Sequence, residues 1–225
     1  MAGNAGTEPA TLIVLRGNSA SGKTSVATGI RDRYGRGIAI ISQDNLRRTV
    51  LRERDTPDGA NIGLIDTVAR YALNHGFHTI VEGILYSGHY ADMITGLREA
   101  HRGVSFCYYL DVPFEETMRR HATKPQAAEY GSAEMSDWYR PLDLLPDGVE
   151  QIIPAEMSLD DTVSKVMADA DLHDPAEPLN RLDFAAGAGG RRADLHSSAD
   201  RRPLPTPDGA TPSHPQSSAR PGNPP

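Results

Sequence analysis

The chain has 225 residues, 38% of them hydrophobic, and a formal net charge of −7 with a single cysteine. That length suits one ordinary domain with a sizeable core, and one cysteine excludes a disulfide within the chain. The acidic balance argues against a general binder of nucleic acid, since residues 1–173 carry 17 Lys plus Arg against 24 Asp plus Glu while residues 174–225 carry six of each.

The N-terminal "MAGNAGTEPA" has neither a basic start nor an apolar stretch, so it does not read as a signal peptide. No apolar run approaches a membrane span, and a soluble, cytoplasmic protein is expected. Five short apolar runs follow, at residues 11–16, 37–42, 77–83, 104–110 and 148–153. Most are continuous rather than alternating, the pattern of parallel strands covered on both faces. Helical patterns fall between them at residues 24–35, 62–76, 90–103, 113–122 and 158–170. Gly76 and Gly103 end the second and third, Pro113 opens the fourth, and Ser158 is placed to cap the fifth. Strands alternating with helices predict an α/β fold with a mainly parallel sheet. Cys107, inside "VSFCYYL", reads as a small buried hydrophobe.

The first run is followed by "RGNSASGKTS", residues 16–25, whose small polar residues would build no core. Gly17, Gly22, Lys23 and Thr24 give the spacing Gly-x-x-x-x-Gly-Lys-Thr between a strand and a helix. Small residues (Asn18, Ser19, Ala20, Ser21 and the following Ser25 complete the loop) let the backbone wrap closely and aim its N–H groups inward. The helix beginning there adds its positive dipole end. Lys23 is expected to reach the β- and γ-phosphates of a nucleoside triphosphate and the Thr24 hydroxyl to ligate Mg²⁺. A guanine-reading Asn-Lys-x-Asp is absent, which argues against a GTPase switch and favours ATP. One short domain with no second hydrolytic motif cluster argues against a motor. Transfer to an acceptor hydroxyl remains, and it needs a base, a metal-side carboxylate and cations over the phosphates.

Three stretches offer these parts. In "SQDNLRR" Asp44 follows the second strand run, at the sheet end where ligands gather, with Arg47 about one helical turn away. The bland alternative is a helix-capping aspartate and a surface arginine. In "TIVEGIL" Glu82 ends a strand at the same edge, where it serves the Mg²⁺ or the acceptor; whether Asp44 or Glu82 is the base stays open. In "MRRHATKP" Arg119, Arg120 and Lys124 end a helix ahead of a polar, irregular stretch of the kind that forms a lid. Arg120 and Lys124 are expected to act on the triphosphate, Arg119 to face solvent, and Arg140 to be a weaker lid candidate on the substrate side. Trp138, the sole tryptophan, packs or stacks on substrate, and His121 packs or belongs to the lid.

In "RGNSASGKTS", "QDNLRR" and "DVPFEETMRRHATKP" the chain resembles the P-loop small-molecule and nucleic-acid kinases, among them polynucleotide kinase, zeta-toxin kinases and chloramphenicol phosphotransferase. It is also similar to bacterial kinase-like proteins called uridine kinase or ATPase. The resemblance spans about residues 12–170. It implies a P-loop NTPase three-layer sandwich with a parallel five-stranded sheet in order 2-3-1-4-5 and a lid. It also implies that Asp44 is the base and that Arg47 holds the acceptor side. The lid element of polynucleotide kinase ends in arginine where this chain has Lys124, which loses a bidentate fork. The expected activity is ATP- and Mg²⁺-dependent transfer to a hydroxyl of a small molecule, such as a nucleoside, an antibiotic or a nucleotide sugar. A nucleic-acid 5′-hydroxyl kinase, a zeta-type toxin and a non-enzymatic nucleotide-binding regulator are the alternatives.

Residues 174–225 hold ten of the seventeen prolines and no apolar periodicity. They cannot bury enough surface to offset the entropy of ordering them. The organisation expected is a kinase domain at residues 1–173 and a disordered tail at 174–225.

Overall fold

A computed structural model describes residues 10–123 and 131–173. Lys124 and the expected tail at 174–225 lie outside the described residues. Five strands form one sheet: β1 (Leu12–Arg16), β2 (Ile38–Ser42), β3 (His78–Glu82), β4 (Ser105–Asp111) and β5 (Glu150–Pro154). All four pairings are parallel and the order is β2-β3-β1-β4-β5, as the resemblance implied. Each strand falls on one of the five apolar runs.

Strand β1 occupies the middle of the sheet with all five residues buried. Successive side chains alternate across a strand, so β1 feeds two cores. Leu12 and Val14 pack with Ile65, Ala69 and Leu73 of α2 (Ala60–Asn74) and with Tyr90, Ile94 and Leu97 of α3 (Ser87–Ala100). Ile13 and Leu15 pack with Val26, Ala27 and Ile30 of α1 (Lys23–Tyr34) and with Val163, Val166 and Met167 of α6 (Leu159–Asp169). Burying each such side chain contributes about 1.5–3 kcal/mol. The result is a three-layer sandwich. Cys107 is buried in the first core, and burial pushes its thiol up to about 11, which fits the reading as a core hydrophobe.

The helix signals hold with shifts of a few residues. Ser158 caps α6, its Oγ accepting the Asp161 amide at 3.1 Å. Gly76, at φ 78°, lies just past the C-terminus of α2. Pro113 is the residue before α4 (Phe114–His121) rather than within its first turn. The third helix stops at Ala100, short of Gly103. Among the described residues three helical pieces fall outside the helical patterns of the sequence: a π-helix at Asn45–Leu51 with no buried residue, α5 (Ser132–Trp138) with only Met135 buried, and a 3-10 turn at Pro146–Gly148.

Candidate active site

The loop between β1 and α1 depends on glycine at two points. Gly17 sits at φ 138°, and a Cβ there would lie 2.6 Å from the Leu110 carbonyl oxygen of β4. Gly22 sits at φ 107° and leads directly into α1. Both are backbone conformations that side chains oppose. Lys23 is 7% exposed and folds back over the loop, its Nζ donating to the Asn18 carbonyl (2.8 Å) and the Ser21 hydroxyl (3.2 Å). Both acceptors are neutral oxygens. Beside it the Thr24 hydroxyl donates to Glu82 Oε2 at 3.1 Å, and Glu82 is buried at the end of β3. A hydroxyl at a helix N-terminus beside a carboxylate at a strand end forms an oxygen donor set of the kind a hard divalent cation takes. The residues therefore fit Mg²⁺ with a polyphosphate.

Three adjoining cavities line this edge. The middle one, about 360 Å³, is bounded by Ser19, Ala20, Lys23, Thr24, Glu82 and Asp44, with His121 also on its wall. On one side it shares Ala20 and Ser25 with a cavity of about 420 Å³ between the loop, Arg120 and residues 153–159. Arg120 donates to the Ser21 carbonyl (3.0 Å) and to Glu116 (2.7 Å). Arg119 also pairs with Glu116 while its own side chain is largely exposed, and the two guanidiniums hold the Glu116 carboxyl down at about 2. Arg120 thus lines the cavity on the far side of the loop from Asp44.

On the other side, Ser19, Asp44, Arg48 and Ile84 are shared with a cavity of about 430 Å³. Arg47, Arg54, Tyr86, Trp138 and Arg140 complete much of its wall. Asp44 therefore stands at the junction of the middle cavity and this one. Its side chain makes no capping hydrogen bond to the helix that follows. Instead Oδ1 accepts from Arg47 Nη2 at 3.1 Å, and Oδ2 lies 4.0 Å from Arg48. A π-helix is rare and is frequent at functional sites; here it carries both arginines. Arg140 lies over the Tyr86 ring at 5.7 Å, and Trp138 lines the cavity with 37% of its surface exposed.

Sequence reasoning missed the supports. Asn18 does not turn its side chain toward the loop interior: its amide spans the backbone of Arg140, donating to the carbonyl and accepting from the N–H, both at 2.8 Å. Arg16 is fully buried and pairs with Glu150 (2.9 Å) and Asp143 (3.0 Å) while its Nε donates to the Leu85 carbonyl (2.9 Å). Asp143 in turn accepts from the Ser87 amide and hydroxyl. Leu85 is held in the left-handed region at φ 47°, a conformation that persists when neighbours over-determine it. Arg16 on its carbonyl and Gln43 on its amide do so. Arg48 and Arg54 were also missed, because an arginine in a polar stretch carries no periodic signal.

A glycine-bounded loop opening a helix at the carboxyl end of the middle strand of a parallel sheet defines a P-loop nucleotide-binding protein with the fold of the P-loop kinases. A family model described as an AAA domain matches residues 12–141, more than half of the chain, and the chain belongs to that family. Three solved structures share the fold. APS kinase from Mycobacterium tuberculosis, in complex with AMPPNP and APS, is 21% identical over 71% of this chain and 96% of that one, with a TM-score of 0.56. An unliganded sugar kinase from Janibacter is 20% identical over 73% and 96%, also at 0.56. The tunicamycin resistance protein of Deinococcus radiodurans is 16% identical over 72% and 96%, at 0.53. At these identities the likeness is one of fold. A comparison with curated proteins returns no match. Among the described residues no helix is long and apolar enough to cross a membrane.

Proposed function

We propose that the protein transfers the γ-phosphoryl group of ATP to a hydroxyl of a small molecule. The observation that carries this reading is the position of Asp44, a carboxylate shared by the phosphate-side cavity and a second, adjoining cavity able to take an acceptor. A nucleotide-binding regulator needs the first cavity and not the second.

The cavity beside Arg120 and residues 153–159 takes the base and ribose. Loop amides and Lys23 take the phosphates. Thr24 and Glu82 hold Mg²⁺, which when bound neutralises charge on the phosphate oxygens. Asp44 accepts the proton of the acceptor hydroxyl as the new oxygen–phosphorus bond forms. The bond from the γ-phosphorus to the bridging oxygen breaks, and ADP leaves with that electron pair. Arg47 orients Asp44 through the 3.1 Å hydrogen bond and borders the acceptor. Arg120, and Lys124 beyond the described residues, are the cations assigned to the triphosphate side; Arg140 belongs with the acceptor.

The test is transfer of labelled phosphate from ATP across nucleosides, sugars, sugar phosphates, nucleotide sugars and antibiotics, with Lys23→Ala as control. ATP turnover stimulated by an acceptor and abolished in folded Lys23→Ala is the expected result. Tight nucleotide binding with no acceptor-stimulated turnover would favour the regulator.

A further inference from the structure

The acceptor cavity has a charge pattern that its role in transfer does not require. Four arginines line it, Arg47, Arg48, Arg54 and Arg140, against Asp44, Asp55 and Asp137, in a chain whose formal net charge is −7. Two of the arginines share Asp44. Asp55 is engaged by the wall, accepting from Tyr90 Oη (2.8 Å) and Gln43 Nε2 (3.1 Å) with His89 Nδ1 at 3.4 Å. The hydrogen bonds of the Arg140 guanidinium go to the Asp137 and Tyr139 carbonyls, which carry no net charge. Arg54 has no ion-pair partner among the described residues.

Resting on the phosphotransferase reading above, we propose that the acceptor is a phosphate ester, its anionic group held by Arg54 and Arg140 while its hydroxyl meets Asp44. A neutral acceptor closing over this wall would strip water from guanidiniums without supplying counter-charge, which is costly. A cationic acceptor, such as an amino sugar, would meet like charge. A tetrahedral oxyanion instead matches the guanidinium fork and gains charge-assisted hydrogen bonds. Tyr86 and Trp138 on the same wall favour an ester that also carries a ring.

Trp138 is the only tryptophan, so its emission reports on this cavity directly. With the nucleotide side filled by a non-hydrolysable ATP analogue, phenyl phosphate is expected to quench Trp138 saturably and benzyl alcohol at least tenfold more weakly. Arg54→Ala with Arg140→Ala is expected to raise the Kd for phenyl phosphate tenfold or more, and added salt to weaken it. Equal affinity for the two probes, or an unchanged Kd in the double variant, would overturn the proposal. So would a loss of binding that follows Lys23→Ala instead of the two arginines, because the probe would then occupy the phosphate loop. The transfer assay separates this inference from the one beneath it. With matched hydroxyl compounds, one phosphorylated and one not, the phosphorylated member is expected to be the better substrate, and the double variant to raise its KM while the KM for ATP holds. A neutral member preferred in that assay sinks the phosphate-ester assignment and leaves the phosphotransferase standing. Arginine-dependent binding of phenyl phosphate with no transfer to any member does the reverse.

Discussion

Asp44 and Glu82 border the same cavity in different surroundings. Glu82 is 3% exposed and accepts the Thr24 hydroxyl, whereas the Asp44 side chain is 62% exposed, lines the cavity proposed for the acceptor and is tied to Arg47. Proton abstraction needs reach to the acceptor, and metal binding needs proximity to Thr24, so the proposed roles separate. Asp44→Asn keeps the size and removes the basic lone pair. Acceptor-dependent turnover is expected to fall about a hundredfold or more, the scale of general base catalysis, with ATP affinity nearly unchanged. Glu82→Gln is expected to shift the Mg²⁺ concentration needed for half-maximal rate. Steady-state kinetics across Mg²⁺ concentrations, with ATP binding measured separately, reads both. A silent Asp44→Asn would move the base to Glu82.

Between elements, polar side chains hold the site's walls in register. Asn18 ties the phosphate loop to the backbone of Arg140 by two hydrogen bonds. Asn18→Ala leaves that N–H unmet, a cost of about 1–3 kcal/mol for a group stranded away from water, while the carbonyl keeps the Tyr109 hydroxyl at 3.1 Å. The acceptor KM is expected to rise more than the ATP KM, because the displaced segment carries Arg140. Arg16 joins β1, β5 and the turn before α3. Arg16→Met strands Glu150, whose side chain is 1% exposed. Breaking one partner of a buried pair costs about 3–5 kcal/mol, so the urea midpoint should fall sharply at unchanged slope. His78 opens β3 and accepts the Thr11 amide on its Nδ1 at 3.1 Å. Burial lowers its pKa below the ordinary 6.5. Above 6.5 the ring is neutral folded and unfolded, and its contribution is fully present. As pH falls below 6.5 the unfolded chain takes up a proton that the folded chain resists, so stability is lost until the lowered folded pKa is passed. His78→Gln should flatten this part of the stability curve, measured by thermal melts across pH.

At the scale of the molecule, the sheet gathers the phosphate loop, Asp44 and Glu82 at one edge. The loop after β1, Asp44 after β2, Glu82 ending β3 and the helix after β4 all emerge where parallel strands end. Among the described residues the core runs to Leu172, which is 3% exposed and packs in the cluster with α1 and α6. Residues 174–225 carry no apolar periodicity to add to it. A chain ending at His173 is therefore expected to melt with the full-length protein and to keep its turnover, which calorimetry and the transfer assay would check.

Hydrophobic runs and glycine spacing are local signals, and they were enough for the strands, five of the helices and the phosphate loop. A continuous apolar run reads as a covered parallel strand whatever its neighbours are. Asp44 was legible because it follows such a run. The π-helix was not, since none of its residues is buried and burial is what writes periodicity into a sequence. Helix α5 buries Met135 alone and reads as polar loop for the same reason. Arg16 looks like the exposed end of a strand, yet it is fully enclosed by partners 127 and 134 residues away. Arg54, from the segment before α2, and Arg140, from the segment after α5, line one cavity only because the sheet brings those segments together. Three of that cavity's four arginines come from residues 47–54, so much of its charge is local in sequence, and it is Arg140 that only folding makes their neighbour.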